Sequence, residues 1–154
     1  MDGLSSAASV IAVVSLVIQL IATTRDVRSY FNAIVGAPKE IQRLALELTR
    51  LANILRDIQV VIERQQLQDG APYPAHSLLA SLEACRDQLS MIYTITSLAQ
   101  RKLQGSGKVS KHWESIKTGF KMKDIEKFQQ HLHQTMHFLT TSIAMNLMVL
   151  KYVN

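Results

Sequence analysis

From Ile41, apolar residues recur at alternating steps of three and four: Leu44, Leu48, Leu51, Leu55, Ile58 and Ile62. Arg43, Glu47, Arg50, Arg56, Asp57 and Glu63 fall mostly off that line. A seam sustained over successive heptads predicts a long amphipathic helix in a bundle or coiled coil. A second seam follows through Leu78, Leu82, Cys85, Leu89, Ile92, Ala99 and Leu103, with Thr96 where an apolar residue is expected. A third runs through Ile125, Phe128, Leu132, Leu139, Ile143, Leu147 and Leu150. Gly36-Ala37-Pro38, the Asp69–Pro74 run and Gly105-Ser106-Gly107 punctuate them with turn signals. Gly36 suits the position just past a helix, and Pro38 the first turn of the next.

The stretch from Gly3 to Thr24 follows a different pattern. It carries no formal charge between Asp2 and Arg25. As a helix it extends about 33 Å, close to the ~30 Å hydrocarbon core of a bilayer. Ser5, Ser6, Ser9, Ser15, Gln19, Thr23 and Thr24 make it too polar for a comfortable permanent span. Ser5, Ser9, Ser15, Gln19 and Thr23 are expected roughly on one side, with Ile11, Val14, Ile18 and Ile21 elsewhere. The β-branched residues 10 to 18 give a buried strand some weight, but no other strand pattern exists to pair with it. A secretory signal is not expected, because Asp2 precedes the apolar run and the first basic residue follows it. N-myristoylation is excluded by the absence of Gly at position 2.

The expected fold is therefore an all-α, four-to-five-helix bundle with a long apolar N-terminal helix. Residues 1–154 form one domain, with helices at about 4–35, 38–68, 75–104, 110–118 and 124–152. Ser110 and Asp124 are the expected caps of the last two. The short loop after the second helix predicts that it and the third lie antiparallel.

Composition fits a globular domain, with 47% hydrophobic and 19% charged residues. The single cysteine, Cys85, excludes an internal disulfide and reads as a buried apolar residue. The net charge of +5 is concentrated. Arg101, Lys102, Lys108, Lys111, Lys117, Lys121, Lys123 and Lys127 face only Glu114, Asp124 and Glu126 between residues 101 and 127. Such a patch points to an anionic partner.

The candidate chemistry is sparse. The GSGK at Gly105–Lys108 lacks the earlier glycine, the following Ser or Thr and the preceding strand of a phosphate loop. His131, His133 and His137 have no third ligand at a suitable spacing, so solvated histidines on the polar face of the last helix outweigh a metal site. No nucleophile elbow, dinucleotide loop or paired carboxylates occur, and nothing indicates an enzyme. The segment from Lys108 to Lys123 mixes lysines with Trp113, Phe120 and Met122, which suits a membrane interface. Trp113 and Phe120 equally suit plugs for the end of the bundle. A single Trp is thin support for base stacking, and no nucleic-acid partner is expected.

Across the chain, MDGLSSAASVIAVVSLVIQL, APKEIQRLALELTRLANIL, LLASLEACRDQL and SKHWESIKTGFKMKDIEKFQQHL occur in an order that resembles a known fungal domain. It is similar to the N-terminal domain of STAND proteins, the fungal NOD-like receptors, within the HeLo and HeLo-like group. Gly3 stands where many relatives carry Pro. The resemblance implies a helical bundle, analogous to the mixed lineage kinase domain-like four-helix bundle, ahead of further receptor domains in the same chain. It implies cell death through oligomerisation and membrane targeting by the N-terminal helix, with no cofactor. The membrane-inserting residues so implied are Leu4, Val10, Ile11, Val13, Val14, Leu16, Val17, Ile18, Leu20 and Ile21. Lys108, Lys111, Lys117, Lys121 and Lys123 would meet anionic headgroups. Asp2 before the helix and Arg25 and Arg28 after it favour insertion with the N-terminus crossing. The body would stay cytoplasmic and join the membrane on activation. The alternative is a non-lytic adaptor bundle that binds proteins or oligomerises through its seams.

Overall fold

Every member of the seam that begins at Ile41 is buried to 0% exposure, on the inner face of a helix spanning Lys39–Gln66. The computed structural model describes the backbone of residues 2–66, 76–105, 112–117 and 121–153. Side chains are described for 10–65, 78–101, 112–114, 117 and 121–148. Within these ranges the chain forms α1 (Asp2–Asn32), α2 (Lys39–Gln66), α3 (His76–Gly105), α4 (Trp113–Ile116) and α5 (Met122–Val153). The expected all-α bundle is the observed one. Residues 10 to 18 are helical, and the only β feature among the described residues is an isolated parallel bridge between Val35 and His112.

The ends of the helices differ from the expected ones for local reasons. α1 stops at Asn32 rather than Val35. The Ala33 and Ile34 amides turn to the Tyr30 and Phe31 carbonyls in a tightened last turn, and Gly36 at φ 75° reverses the chain. Pro38 lies one residue before α2 and its carbonyl accepts from the Ile41 and Gln42 amides, the role of an N-cap. His112, not Ser110, precedes α4; Ser110 lies outside the described residues. Trp113 donates its backbone N–H to the Val35 carbonyl at 2.8 Å, which ties α4 to the α1–α2 link. Asp124 is not the cap of α5. It sits in the first turn, its amide and that of Ile125 bonded to the Lys121 carbonyl, where its charge complements the helix dipole.

The helices form two antiparallel hairpins. α1 packs most extensively on α2, and α3 packs on α5. The hairpins meet through α1 against α3 and α2 against α5. Cross-helix pairs Glu47–His133 and Gln65–Asn146 show that α2 and α5 run parallel. Because α3 opposes α5, it is antiparallel to α2 as expected, but across the diagonal of the bundle rather than beside it. The α1–α2 link, α4 and the start of α5 therefore share one end of the bundle. The N-terminus of α1 and the C-terminus of α5 share the other.

The α3 seam is buried as anticipated from Leu78 through Ile92 and at Ala99. Thr96 is buried too, its hydroxyl donating to the Tyr93 carbonyl at 3.0 Å. Trp113 is half-buried against the core, as a plug would be, whereas Phe120 and Leu103 have no described side chain. The last part of the α5 seam is different. Leu147 is 49% exposed and Ile143 half-buried, while Ser142 and Asn146 are buried in their stead. The three–four stepping from Phe128 through Leu132, Thr135 and Leu139 leads to positions 142 and 146 whatever stands there. Geometry overrides polarity at this end.

Candidate functional site

α1 was the segment singled out by its lack of charge, and its contacts define the candidate site. Val13, Leu16, Val17, Leu20 and Ile21 are buried, and Val10 and Val14 are partly buried against the same core. Ile11 and Ile18 are 63% and 50% exposed. They share the outer face with Ser15 and Gln19, which corrects the expected separation of isoleucines from polar residues. Residues 11, 15, 18 and 19 fall within about a third of a turn of one another at 3.6 residues per turn. Leu4 is helical, with its side chain outside the described residues.

Two hydroxyls on α1 bond within the helix. Thr23 donates to the Gln19 carbonyl at 3.0 Å and Thr24 to the Leu20 carbonyl at 2.6 Å. Thr24 is fully buried, so this back-bond lets its hydroxyl lie in an apolar setting. Val10–Asn32 is long and apolar enough to cross a membrane, and 39% of its most apolar window is buried in the bundle. The same length and composition also suit the core helix of a soluble bundle.

The basic residues sit at the opposite end from the start of α1. Lys121 and Lys123 are exposed at the start of α5, and Lys117 is exposed with an ion pair to Glu114 at 2.7 Å. Lys108 and Lys111 lie outside the described residues. Exposed Arg25, Lys39 and Arg43 stand at this same end, contributed by α1 and α2. Sequence proximity therefore missed part of the patch, because the α1–α2 link brings those residues in through the fold.

α5 is attached by polar pairs. His133 Nε2 lies 2.5 Å from Glu47 Oε1, and Glu47 is 8% exposed with its Oε2 lacking a partner among the described residues. Thr135 donates to Gln88 Oε1 at 2.7 Å, and Asn146 donates to Gln65 Oε1 at 3.4 Å. His131 and His137 are exposed as expected, whereas His133 has this specific partner. Among the described residues no group of three metal-ligating side chains occurs.

Two recesses flank α3. One of about 340 Å³ against α1 includes Asp26, Tyr30, Tyr93 and Gln100. Burial raises the Tyr30 hydroxyl above its ordinary pKa. The other, about 240 Å³, is a groove against α5 lined by Met91, Ile92, Ile95 and Phe128 with Lys127 and His131 on its rim. Cys85 is 1% exposed, and burial pushes its thiol up to about 12. It is a core residue with no nucleophilic character at neutral pH.

These features define a helical bundle whose first helix carries a long uncharged stretch, partly buried in the core, and whose opposite end is basic. The chain belongs to the family described as pigment biosynthesis cluster protein PigL N-terminal, whose model matches residues 1–154. That membership is compatible with a fungal helical domain. No curated protein and no solved structure matches the chain.

Proposed function

We propose that this chain is a membrane-targeting signalling module of the HeLo-like kind, the N-terminal effector of a fungal NOD-like receptor that causes cell death on self-association. The observation that carries this reading is the apolar, self-satisfied character of α1. Its described contacts from Val10 to Ile21 are hydrophobic, and its threonines bond within the helix. Lipid can replace such contacts, since a helix satisfies its own backbone. Water cannot. At about 1.5–3 kcal/mol for each fully buried side chain, exposing Val13, Leu16, Val17, Leu20 and Ile21 costs as much as the ~5–15 kcal/mol that holds a domain together. α1 therefore leaves the bundle only for another apolar medium.

The basic end supports the same reading. A helix swinging about the 33–38 link keeps Arg25 and Arg28 towards the end of the bundle that carries Lys121 and Lys123, the end that anionic headgroups would meet. The family description names a pigment biosynthesis cluster and no activity, so the reading rests on the helices themselves. The second reading, a non-lytic adaptor, is favoured by the exposed apolar residues of α5, which offer a protein-binding face without any helix leaving.

Leakage of dye from anionic vesicles separates the two. The intact chain is expected to release dye, and Ile11→Glu with Ile18→Glu to abolish release while the fold is retained, because both side chains face solvent. Folded wild-type protein that neither leaks nor co-sediments with these vesicles would leave the adaptor reading in place.

A further inference from the structure

Four threonines of the bundle spend their hydroxyls on their own helix. Thr23, Thr49, Thr94 and Thr140 each donate to the carbonyl four residues back, a common partner for a hydroxyl within a helix. Ser29 on α1 and Ser97 on α3 do not. Both border the recess of about 340 Å³ between these two helices, and neither hydroxyl has a hydrogen bond among the described residues. The Asp26 carboxylate, the Tyr93 hydroxyl and the Gln100 amide border the same recess. They too have no hydrogen bond or ion pair among the described residues. Behind these five groups the recess is held in shape by the core. Thr96 is buried with its hydroxyl given to the Tyr93 carbonyl, and Tyr30 packs on the core with its hydroxyl buried.

The lining selects among ligand classes by charge. Asp26 carries the one formal charge in it, so an anion would meet a carboxylate and no cation. An organic cation gains little more. Arg25 and Arg28 flank Asp26 along α1 and Arg101 follows Gln100 on α3, and their field offsets that of the carboxylate. A neutral ligand rich in hydroxyls fits the remaining chemistry. Serine and tyrosine hydroxyls and the Gln100 amide both donate and accept, while the carboxylate accepts, and each hydroxyl of a polyol offers one donor and acceptor sites in return. Tyr93 is 44% exposed and presents an apolar ring beside its polar tip, which suits the C–H face of a sugar ring. The volume lies at the low end of the ~300–1,000 Å³ range of small-molecule sites, room for a single ring.

We propose that the recess between α1 and α3 is a binding site for a neutral monosaccharide. Asp26 and Gln100 bond its hydroxyls from the two helices, Ser29 and Ser97 add a hydrogen bond from each side, and the Tyr93 ring covers one face. Because most of these groups are exposed to water when the site is empty, each bond made replaces one to solvent, and affinity is in the millimolar range. The inference concerns the closed bundle and needs no helix to move, so it stands apart from the membrane reading.

Polyols raise thermal stability as excluded co-solutes whether or not they bind, so the test reads individual residues. Amide chemical shifts of the isotope-labelled full chain are followed without lipid as D-glucose, D-mannose or N-acetyl-D-glucosamine is added, from about 0.1 to 50 mM. At least one sugar should give saturable shifts centred on residues 26–30 and 93–100. Asp26→Ala and Tyr93→Ala should each weaken that binding about fivefold or more. Both side chains are exposed, so the rest of the spectrum stays that of the folded wild type. Met91→Ala, in the separate groove against α5, should leave the affinity unchanged. No saturable shift with any of the three sugars overturns the proposal. So do saturable shifts centred elsewhere, or shifts at the recess that survive both substitutions. Choline chloride saturating the recess where the sugars do not would make it a cation site and overturn the proposal as well.

Discussion

α1 and α5 occupy diagonal corners of the same bundle; both pack an apolar seam into one core, but α5 adds polar pairs to its neighbours among the described residues. α1 meets its neighbours through Val13, Leu16, Val17, Leu20, Ile21, Val27 and Phe31, and keeps the hydroxyls of Thr23 and Thr24 within itself. α5 is bonded across the helices by Glu47–His133, Gln88–Thr135 and Gln65–Asn146. Non-directional contacts can be exchanged for lipid with little loss. A directional pair that leaves Glu47 or Gln65 buried and alone cannot. Under the proposed function that difference lets α1 leave the bundle while α5 stays in place, although both carry long uncharged runs.

The largest effect expected from breaking this comparison lies in the α1 seam. Leu20→Ala should destabilise the fold by about 2–5 kcal/mol, the usual cost of truncating a fully buried leucine; urea denaturation measures it. The α5 clasp comes next. His133→Ala leaves the Glu47 carboxylate buried without its partner, at about 1–3 kcal/mol. Glu47→Leu removes the need for the partner, so it should cost less than His133→Ala or stabilise. If the two variants lose equal stability, the clasp is not the distinguishing feature of α5.

Cys85 offers a probe of the seam between these corners. Its thiol ionises near 9.0 in the unfolded chain and near about 12 in the folded one. Burial favours the protonated form, so its contribution is fully present below pH 9.0 and is lost as pH rises towards 12. At pH 8 the folded protein should react with a thiol reagent orders of magnitude more slowly than the urea-unfolded chain. The smallest effect on stability belongs to the outer face of α1. Ile18→Glu should change folding by no more than about 0.5 kcal/mol. In a bilayer the same charge costs about 3 kcal/mol at the centre of a span.

Much of this architecture could be read from residue spacing. The Ile41–Ile62 seam is buried throughout, because its apolar residues and its helical period agree. The α1 faces were less legible. When nearly every residue is apolar or small, polarity does not say which side is inside, and Ile11 and Ile18 turned outward with Ser15 and Gln19. The end of α5 misled for the opposite reason. Ile143 and Leu147 look like core, but the register set by Phe128, Leu132 and Leu139 delivers Ser142 and Asn146 to the inside. The continued three–four step was the available signal. The Glu47–His133 pair and the contribution of Lys39 and Arg43 to the basic end depend on helices distant in sequence, and no local pattern marks them.

The central claim is that α1, and not the rest of the bundle, enters lipid. An environment-sensitive fluorophore on Ile18→Cys tests it most directly, because position 18 faces water in the bundle and buried Cys85 resists labelling. On mixing with anionic vesicles the emission should shift to the blue and be quenched by a quencher in the acyl chains. The same label on Val60→Cys, exposed on α2, should stay in water. Protein that co-sediments with the vesicles while the position 18 emission remains that of the free bundle would contradict the account.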